Sequence, residues 1–450
     1  MFNKTLLSIF LLLLFFISSC NKILDEKPNL SLAEPNTLKD IQEMLDYAFL
    51  MNRSSSSGGE GATDNLYFPD EILEQKKDDQ ILAYTWRPFY STNGDWDFIY
   101  KTIYVANLAL EEVSKIKVKS DNHDGWNNIY GSALFYRAVS YLGGIFTYCK
   151  GFDSSTASSE LGMPLRLVSD FNIHVDRSSL KESYDQVIKD LLQAIPYLPI
   201  KPISNFRPSR VAAYGLLART YLSMRDYNKC LIYSDSCLTL KNDLLDYNTL
   251  DVSQLMQFTY DNPEIIFNLG IGTFGPITSA VTDTRVDTTL YSSYEKNDLR
   301  KVAFFYPFDP GYIFKGSYSG DFSDNFTGIA VDEIYLMRAE CLSRAGKVKE
   351  AINDLNTLLL KRWVSGTYET FNASTKEEAL KIILAERRKE LLYRGLRWMD
   401  LKRLNLEGRN ITLTRKVDGK IYELKPNDPF YALPIPSYVV ENFGYKQNDY

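Results

Sequence analysis

The clearest regularity in the chain is a helical period that occurs twice. Across residues 331–403, Tyr335, Ala339 and Leu342 fall on one face at helical spacing, Gly346 interrupts the pattern, and Ala351, Leu355 and Leu358 restart it from about Lys349. Two amphipathic helices joined by so short a turn pack antiparallel. A shift of about 121 positions lays Tyr214, Ala218, Tyr221 and Cys230 over Tyr335, Ala339, Leu342 and Ala351 without a gap. Large aromatic, small, large, then small after the turn is the tetratricopeptide pattern, in which small side chains let neighbouring helices approach closely.

Further helices are predicted from the same period. Leu38, Ile41, Leu45 and Phe49 mark a first amphipathic helix behind a Thr37 cap, and others are expected over residues 98–116, 126–146, 180–198 and 209–240, with Ala133 and Ala138 as close-contact positions. Residues 54–59 read as a flexible Ser/Gly loop. From about 241 to 328 the chain is rich in Thr, Gly, Phe and Tyr with few helical periods, which predicts strands and long loops inserted into the helical frame, the kind of segment that carries binding residues. A third, strongly charged helix follows and runs to Arg403, in which Glu390 and Arg394 are spaced to pair on a helix surface. A hairpin is expected around Asp418-Gly419. The expected fold is mainly α, a tetratricopeptide-like helical-hairpin scaffold with a loop-and-strand-rich insertion.

The N-terminus has a different pattern. Lys4 precedes an unbroken apolar run over residues 6–17, too short to span a bilayer comfortably, and Ser18-Ser19-Cys20 follows. This reads as a secretory signal over residues 1–19 with Cys20 as a lipidation site, the alternative being a plain cleaved signal. Residues 20–35 then form a tether and residues 36–450 a single domain. Two or more acyl chains would anchor the protein stably in a membrane.

Composition narrows the function. A formal charge of -6 argues against a nucleic-acid partner, which favours a basic surface. The 31 tyrosines exceed what a helical core requires and point to aromatic residues at a binding surface. Cys230 and Cys237 are two helical turns apart, too far for a bridge, and are expected as buried free thiols. With only His123 and His174, and no Cys/His ligand spacing, no metal or cofactor is expected. Gly270-Ile271-Gly272-Thr273-Phe274-Gly275 matches the dinucleotide glycine fingerprint formally, yet Pro276 and the threonines after it open no helix to hold a pyrophosphate. Gly316-Ser317-Tyr318-Ser319-Gly320 lacks the central serine of a nucleophile elbow.

Several separated stretches together resemble the SusD/RagB family of outer-membrane nutrient-binding lipoproteins. They are Ile23-Leu24-Asp25-Glu26-Lys27-Pro28 after Cys20, Ala133-Leu134-Phe135-Tyr136-Arg137-Ala138 with Gly162-Met163-Pro164-Leu165, Ala385-Glu386-Arg387-Arg388-Lys389-Glu390-Leu391 with Gly395-Leu396-Arg397-Trp398-Met399-Asp400-Leu401, and the tail with Pro434-Ile435-Pro436, Asn442 and Gln447-Asn448-Asp449-Tyr450. The family commonly has Glu and His on either side of the glycine where this chain has Arg394 and Leu396. The resemblance implies a surface-anchored protein that binds a glycan, or a peptide, and delivers it to a SusC-like TonB-dependent transporter without catalysis. A surface glycosidase and a pure helical-repeat scaffold are the competing classes.

A sugar ring offers an apolar CH face and a rim of hydroxyls, so its site needs exposed aromatics beside polar side chains. Residues 86–96 supply this mixture, and by position they resemble the N-terminal side of the family's ligand site. The ligand-binding candidates there are Trp86, Arg87, Tyr90, Asn93 and Trp96, together with Asp64. The insertion supplies Tyr291, Tyr294, Tyr306 and Tyr312, with Phe274, for the opposite side. Core packing is the alternative for each ring and is favoured for the two tryptophans.

Overall fold

The computed structural model describes residues 35–449 apart from 54, 56, 92, 93, 272–274, 276, 278–280 and 322. The predicted leader, Cys20 and all but the last residue of the tether lie outside the described residues. No helix among the described residues is long and apolar enough to cross a membrane.

The first helix, α1 (Leu38–Leu45), starts at a capping box: the Thr37 hydroxyl accepts from the Asp40 amide, and the Asp40 carboxylate accepts from the Thr37 amide. It is shorter than its apolar period suggests. Phe49 lies on a separate turn, Ala48–Met51, and is exposed, whereas Ile41 and Leu45 are buried.

The scaffold follows as α2 (Asp95–Lys115), α3 (His123–Tyr148), α4 (Leu180–Ala194), α5 (Arg210–Ser223), α6 (Tyr227–Leu240), α7 (Val331–Arg344) and α8 (Val348–Leu359), each packed on the next. Two further helices, α9 (Lys376–Glu390) and α10 (Arg397–Asn405), follow, and α9 packs on α7. The α5–α6 and α7–α8 hairpins are the two copies of the repeat. Ala218, Ala339, Cys230 and Ala351 are all fully buried, as expected of residues that set a close helix approach. The turns correspond too: Arg225 (φ 63°) and Gly346 (φ 78°) occupy the same repeat position in the left-handed region that ends the first helix of each hairpin.

The insertion between α6 and α7 consists of two-residue and three-residue antiparallel ladders and two short helices, Thr288–Ser292 and Arg300–Phe304. Ile265–Phe267 pairs with Ile329–Ala330, and Gly270–Ile271 with Asn325–Phe326, which ties both ends of the insertion to the entry of α7. Arg285–Val286 pairs with Leu66–Tyr67, so the insertion is also stitched to the N-terminal segment. The hairpin Leu413–Val417 with Lys420–Leu424 turns at Asp418 (φ 50°) and Gly419 (φ 75°), the positive-φ pair that a two-residue turn requires.

The charged segment departs from expectation. It is two helices, because α9 ends at Glu390 and the chain passes through Tyr393 (φ 57°) before α10. Glu390 and Arg394 therefore share no helix face and do not pair. Glu390 instead faces Arg300 (3.1 Å) and Arg362 (2.7 Å), and Arg394 faces Asp332 (3.2 Å), all of them buried. Arg300 also binds Asp298 (2.7 Å) and Glu386 (2.6 Å), and Arg362 binds Glu264 (2.8 Å). Removing one partner from such a buried group strands the others without water. Arg300→Ala is expected to destabilise the fold by about 3–5 kcal/mol, read from urea unfolding; a loss below about 1 kcal/mol, the range of surface pairs, would contradict this.

Candidate functional site

Three separated segments converge at the start of α2. Residues Gly58–Gly61 form a single helical turn, and Asp95, at the start of α2, accepts hydrogen bonds from the Ser57 and Gly58 amides (2.8 Å each) and the Ser57 hydroxyl (2.7 Å). The insertion reaches the same place. Gly275 (φ 63°) lies so close to this turn that a Cβ on it would come within 2.6 Å of the Gly58 Cα. Gln80 donates to the Ile277 carbonyl (3.0 Å), and Lys76 pairs with Asp283 (2.5 Å). The N-terminal segment and the insertion thus form two sides of one region.

Tyr90 stands beside it, 50% exposed, with its amide directed at Asp79 and its hydroxyl at Glu441 (3.4 Å each). Glu441 belongs to α11 (Ser437–Phe443), and Tyr438 of the same helix hydrogen-bonds Asp97 of α2. Between α2, α11 and the loop at 166–171 lies a cavity of about 450 Å³. Trp96 forms its floor, 5% exposed and packed on Tyr100 and Tyr148 at ring-centroid distances of 4.8 and 5.2 Å. Its open side is formed by Tyr104, Phe443 and Phe171, the last 72% exposed. The loop wall is held in place by polar side chains. Arg166 donates to the Phe171 and Ile173 carbonyls (2.7 and 2.9 Å), and Asn107 donates to the Arg166 and Val168 carbonyls (3.0 and 3.1 Å). Asp97 and Lys101 complete the lining. The arrangement is a prebuilt aromatic recess with a charged edge, suited to a ligand that has a flat apolar face.

The remaining candidates lie elsewhere. Asp64 lines a second cleft, of about 840 Å³, whose lining includes Tyr67, Asp287, Arg388 and Arg415. Its carboxylate is taken up by Arg397 (2.8 Å to each oxygen) and Arg388 (3.0 Å). Burial opposes its ionisation, but these two guanidinium groups outweigh burial and hold its pKa at about 2. Trp86 is in the core: its φ of 54° turns the ring inward, the indole N–H donates to the Ala62 carbonyl (3.0 Å), and Arg415 covers the ring. Arg87 is half-buried, bonded to Thr85 (2.9 Å) and placed over the Tyr422 ring.

On the insertion side, Tyr294 is buried and donates to the Lys389 carbonyl (2.7 Å). Tyr291 and Tyr312 stack on each other at 3.8 Å and 16°, so each covers a face of the other. Tyr306 is exposed, but the register of its hairpin puts it on the face opposite Tyr312. These four tyrosines therefore do not form one surface. Asn93 and Phe274 lie outside the described residues. The cavity rings not singled out from the sequence divide by origin. Tyr100 and Tyr104 follow Trp96 at steps of four and were legible as one helix face, whereas Phe171 and Phe443 come from distant loop and tail positions that no local period connects. No group of three or more His, Cys, Asp or Glu side chains suited to a metal ion occurs among the described residues.

Comparison with known proteins gives a consistent result. Residues 22–222 match a SusD-like family model described as starch-binding associating with outer membrane, and residues 315–449 match the model of the SusD family. SusD-like protein P38 of Formosa agariphila is 22% identical over 479 residues, spanning 90% of this chain and 92% of its own. A SusD superfamily protein from Bacteroides thetaiotaomicron superposes with a TM-score of 0.75 at 21% identity, covering 92% of this chain and all of that one. A SusD-like carbohydrate binding protein from Bacteroides vulgatus superposes with a TM-score of 0.66 at 20% identity, covering 87% of this chain and 89% of its own. At these identities the structural likeness is one of fold.

Glu60, on the turn that Asp95 caps, makes the region sensitive to pH. Burial pushes its pKa up to about 7, against hydrogen bonds from Asn65 (2.8 Å) and the Gly395 amide (3.0 Å). An acid raised above its unfolded value of 4.5 keeps in the folded chain a proton that the unfolded chain has released. Its contribution is therefore complete below about pH 4.5 and lost as pH rises through about 7. Glu60→Gln is expected to gain stability relative to the parent by up to about 3 kcal/mol between pH 4.5 and pH 8. Thermal unfolding of both proteins across that range tests this, and a difference independent of pH would refute it.

Proposed function

The chain belongs to the SusD family, and from that premise we propose that it is a cell-surface protein that captures a glycan and passes it, unaltered, to a TonB-dependent outer-membrane transporter. Lipidation of Cys20 would hold it to the outer membrane, and the faces of the helical hairpins would dock the transporter. The observation that carries the reading is the aromatic cavity over Trp96, bordered by Asp97 and Lys101, with the exposed Tyr90 across α11. Its volume falls in the range of small-molecule sites, and its rings offer the CH face of a sugar the stacking surface it needs. The carbohydrate-binding description of the similar protein from Bacteroides vulgatus supports the same ligand class.

A second reading, capture of a peptide, is favoured by one feature. The Arg166 and Asn107 side chains at the cavity are already engaged with backbone carbonyls, which leaves a largely apolar recess fit for an aromatic or aliphatic side chain.

The test uses the chain beginning after Cys20, run by affinity electrophoresis through gels holding plant, host or microbial polysaccharides, with product analysis on the same samples. Retardation by a polysaccharide without shortened products is expected; cleavage would overturn the non-catalytic reading, and retardation by none would favour the peptide. Tyr90→Ala and Phe171→Ala are each expected to weaken binding about 2- to 10-fold, the loss of one stacking ring at about 0.5–1.5 kcal/mol. The melting temperature should hold, because both rings are exposed. Equal loss of binding and stability would remove these residues from the site.

A further inference from the structure

At the end of the scaffold where the described chain begins, large apolar side chains stand together in solvent. On the connection between α4 and α5, Ile203 is 83% exposed and Ile200 49%. Pro199 and Ile203 line a groove of about 410 Å³ shared with Ile129 of α3 and with Leu38 and Lys39 of α1. Next along the same elements, Trp126 and Tyr130 of α3 stack at 4.9 Å and 13°, and Tyr197 meets Tyr130 edge-on at 4.9 Å. The polar atoms of the two α3 rings are turned to protein. The Trp126 N–H donates to the Val113 carbonyl (2.8 Å), and the Tyr130 hydroxyl accepts from Gln193 (2.6 Å). Lys39 and Lys201, both exposed, border the groove. Exposed Asp121 and Asp124 at the same end offset their charge, so the surface attracts by its apolar groups.

We propose that this surface rests on a lipid bilayer, with Ile200 and Ile203 entering its apolar boundary and the Trp126 and Tyr130 rings lying at headgroup level. Exposed apolar side chains grouped in this way mark an interaction surface. Two observations name the occupant. The first is where the chain begins. Fifteen positions separate Cys20 from Pro35, a span of at most about 50 Å. Leu38, three residues further on, sits against α3, where a Cβ on Gly125 would meet it at 3.7 Å. A lipid on Cys20 therefore brings this end of the molecule within reach of the bilayer. The second is the chemistry. Two isoleucines flank Lys201 and Pro202 on one connection, and aromatic rings lie beside lysines whose stems can run along apolar surface while the ammonium stays in water. This combination suits the boundary between acyl chains and headgroups. The ligand cavity stays clear of the lipid: its floor, Trp96, and Val113, under Trp126, are about 25 Å apart along α2. The contact would thus orient the anchored domain. In the cell it rests on the reading that Cys20 is lipidated.

The test in solution does not depend on that reading, which fatty-acid labelling of the full chain in cells decides separately. The chain begun after Cys20, which carries no lipid, is sedimented with phosphatidylcholine vesicles and with vesicles of phosphatidylcholine and phosphatidylglycerol. It should partition onto both. Trp126 supplies the second readout, because the other four tryptophans are buried: vesicles of brominated phosphatidylcholine should quench its fluorescence. Ile200→Ser/Ile203→Ser should lower the partition about 10- to 100-fold, as expected for two isoleucine side chains kept from an apolar phase, and abolish the quenching. The melting temperature should hold, since both side chains are exposed. Ile421→Ser, at an isoleucine 66% exposed on the Leu413–Leu424 hairpin, should change neither readout. Absence of sedimentation with both vesicles, an equal partition of the double variant, or sedimentation without quenching would overturn the proposal. So would self-association that the double variant abolishes in a chain that ignores vesicles, which would give the surface to a second copy.

Discussion

The structure depends on a group of charges that are buried together and satisfied mainly by one another, with the Tyr318 hydroxyl and the Leu245 backbone completing Glu264 and Arg362. Arg300 and Arg362 lie out of solvent between Asp298, Glu264, Glu386 and Glu390, with Lys389 at the edge. These residues come from the insertion, from the end of α8 and from α9, so the group can form only when all three are in place. Charges removed from water gain little net stability from pairing, but any one left alone is strongly unfavourable. The network therefore acts mainly to exclude arrangements in which the insertion is docked differently. Burial, opposed by Arg362, raises the Glu264 pKa to about 7, which lets that carboxyl take up a proton where negative charge is in excess.

A second set of buried ions does the same for the helices. Arg219 of α5 binds Glu333 of α7 (2.9 and 2.6 Å), and Glu340 of α7 binds Arg403 of α10 (2.6 and 2.8 Å). Arg219 and Glu340 occupy equivalent repeat positions with opposite charge. The repeat is thus regular in its apolar and small residues and individual in its ionic ones, which gives each hairpin a distinct neighbour.

The high aromatic content serves two roles. Trp86, Trp398, Tyr294 and Tyr318 are buried, and each polar atom of their rings reaches a partner: the Trp86 and Trp398 N–H groups donate to the Ala62 and Tyr431 carbonyls, and the Tyr294 and Tyr318 hydroxyls to Lys389 and Glu264. Among the described residues only a minority of the rings are exposed, and Tyr90, Tyr104, Phe171 and Phe443 among these lie beside or within the cavity over Trp96. Trp96 belongs to both groups, since its ring is core on one side and cavity floor on the other.

What the sequence by itself determined is what local periodicity encodes. The helices, the Thr37 cap, the two copies of the repeat with their small contact residues, and the Asp418-Gly419 turn follow from side chains a few positions apart, where helix and turn geometry leaves little choice. Only the tertiary structure decided which aromatic faces water, because that depends on what packs over each ring from far along the chain: Arg415 over Trp86, the Lys389 carbonyl against Tyr294, and Phe171 and Phe443 brought to the face of α2. The same holds for Glu390 and Arg394, whose spacing suggested a surface pair until the end of α9 turned each toward a buried partner. Burial and ion pairing are set by three-dimensional neighbours, and no period along the chain records them.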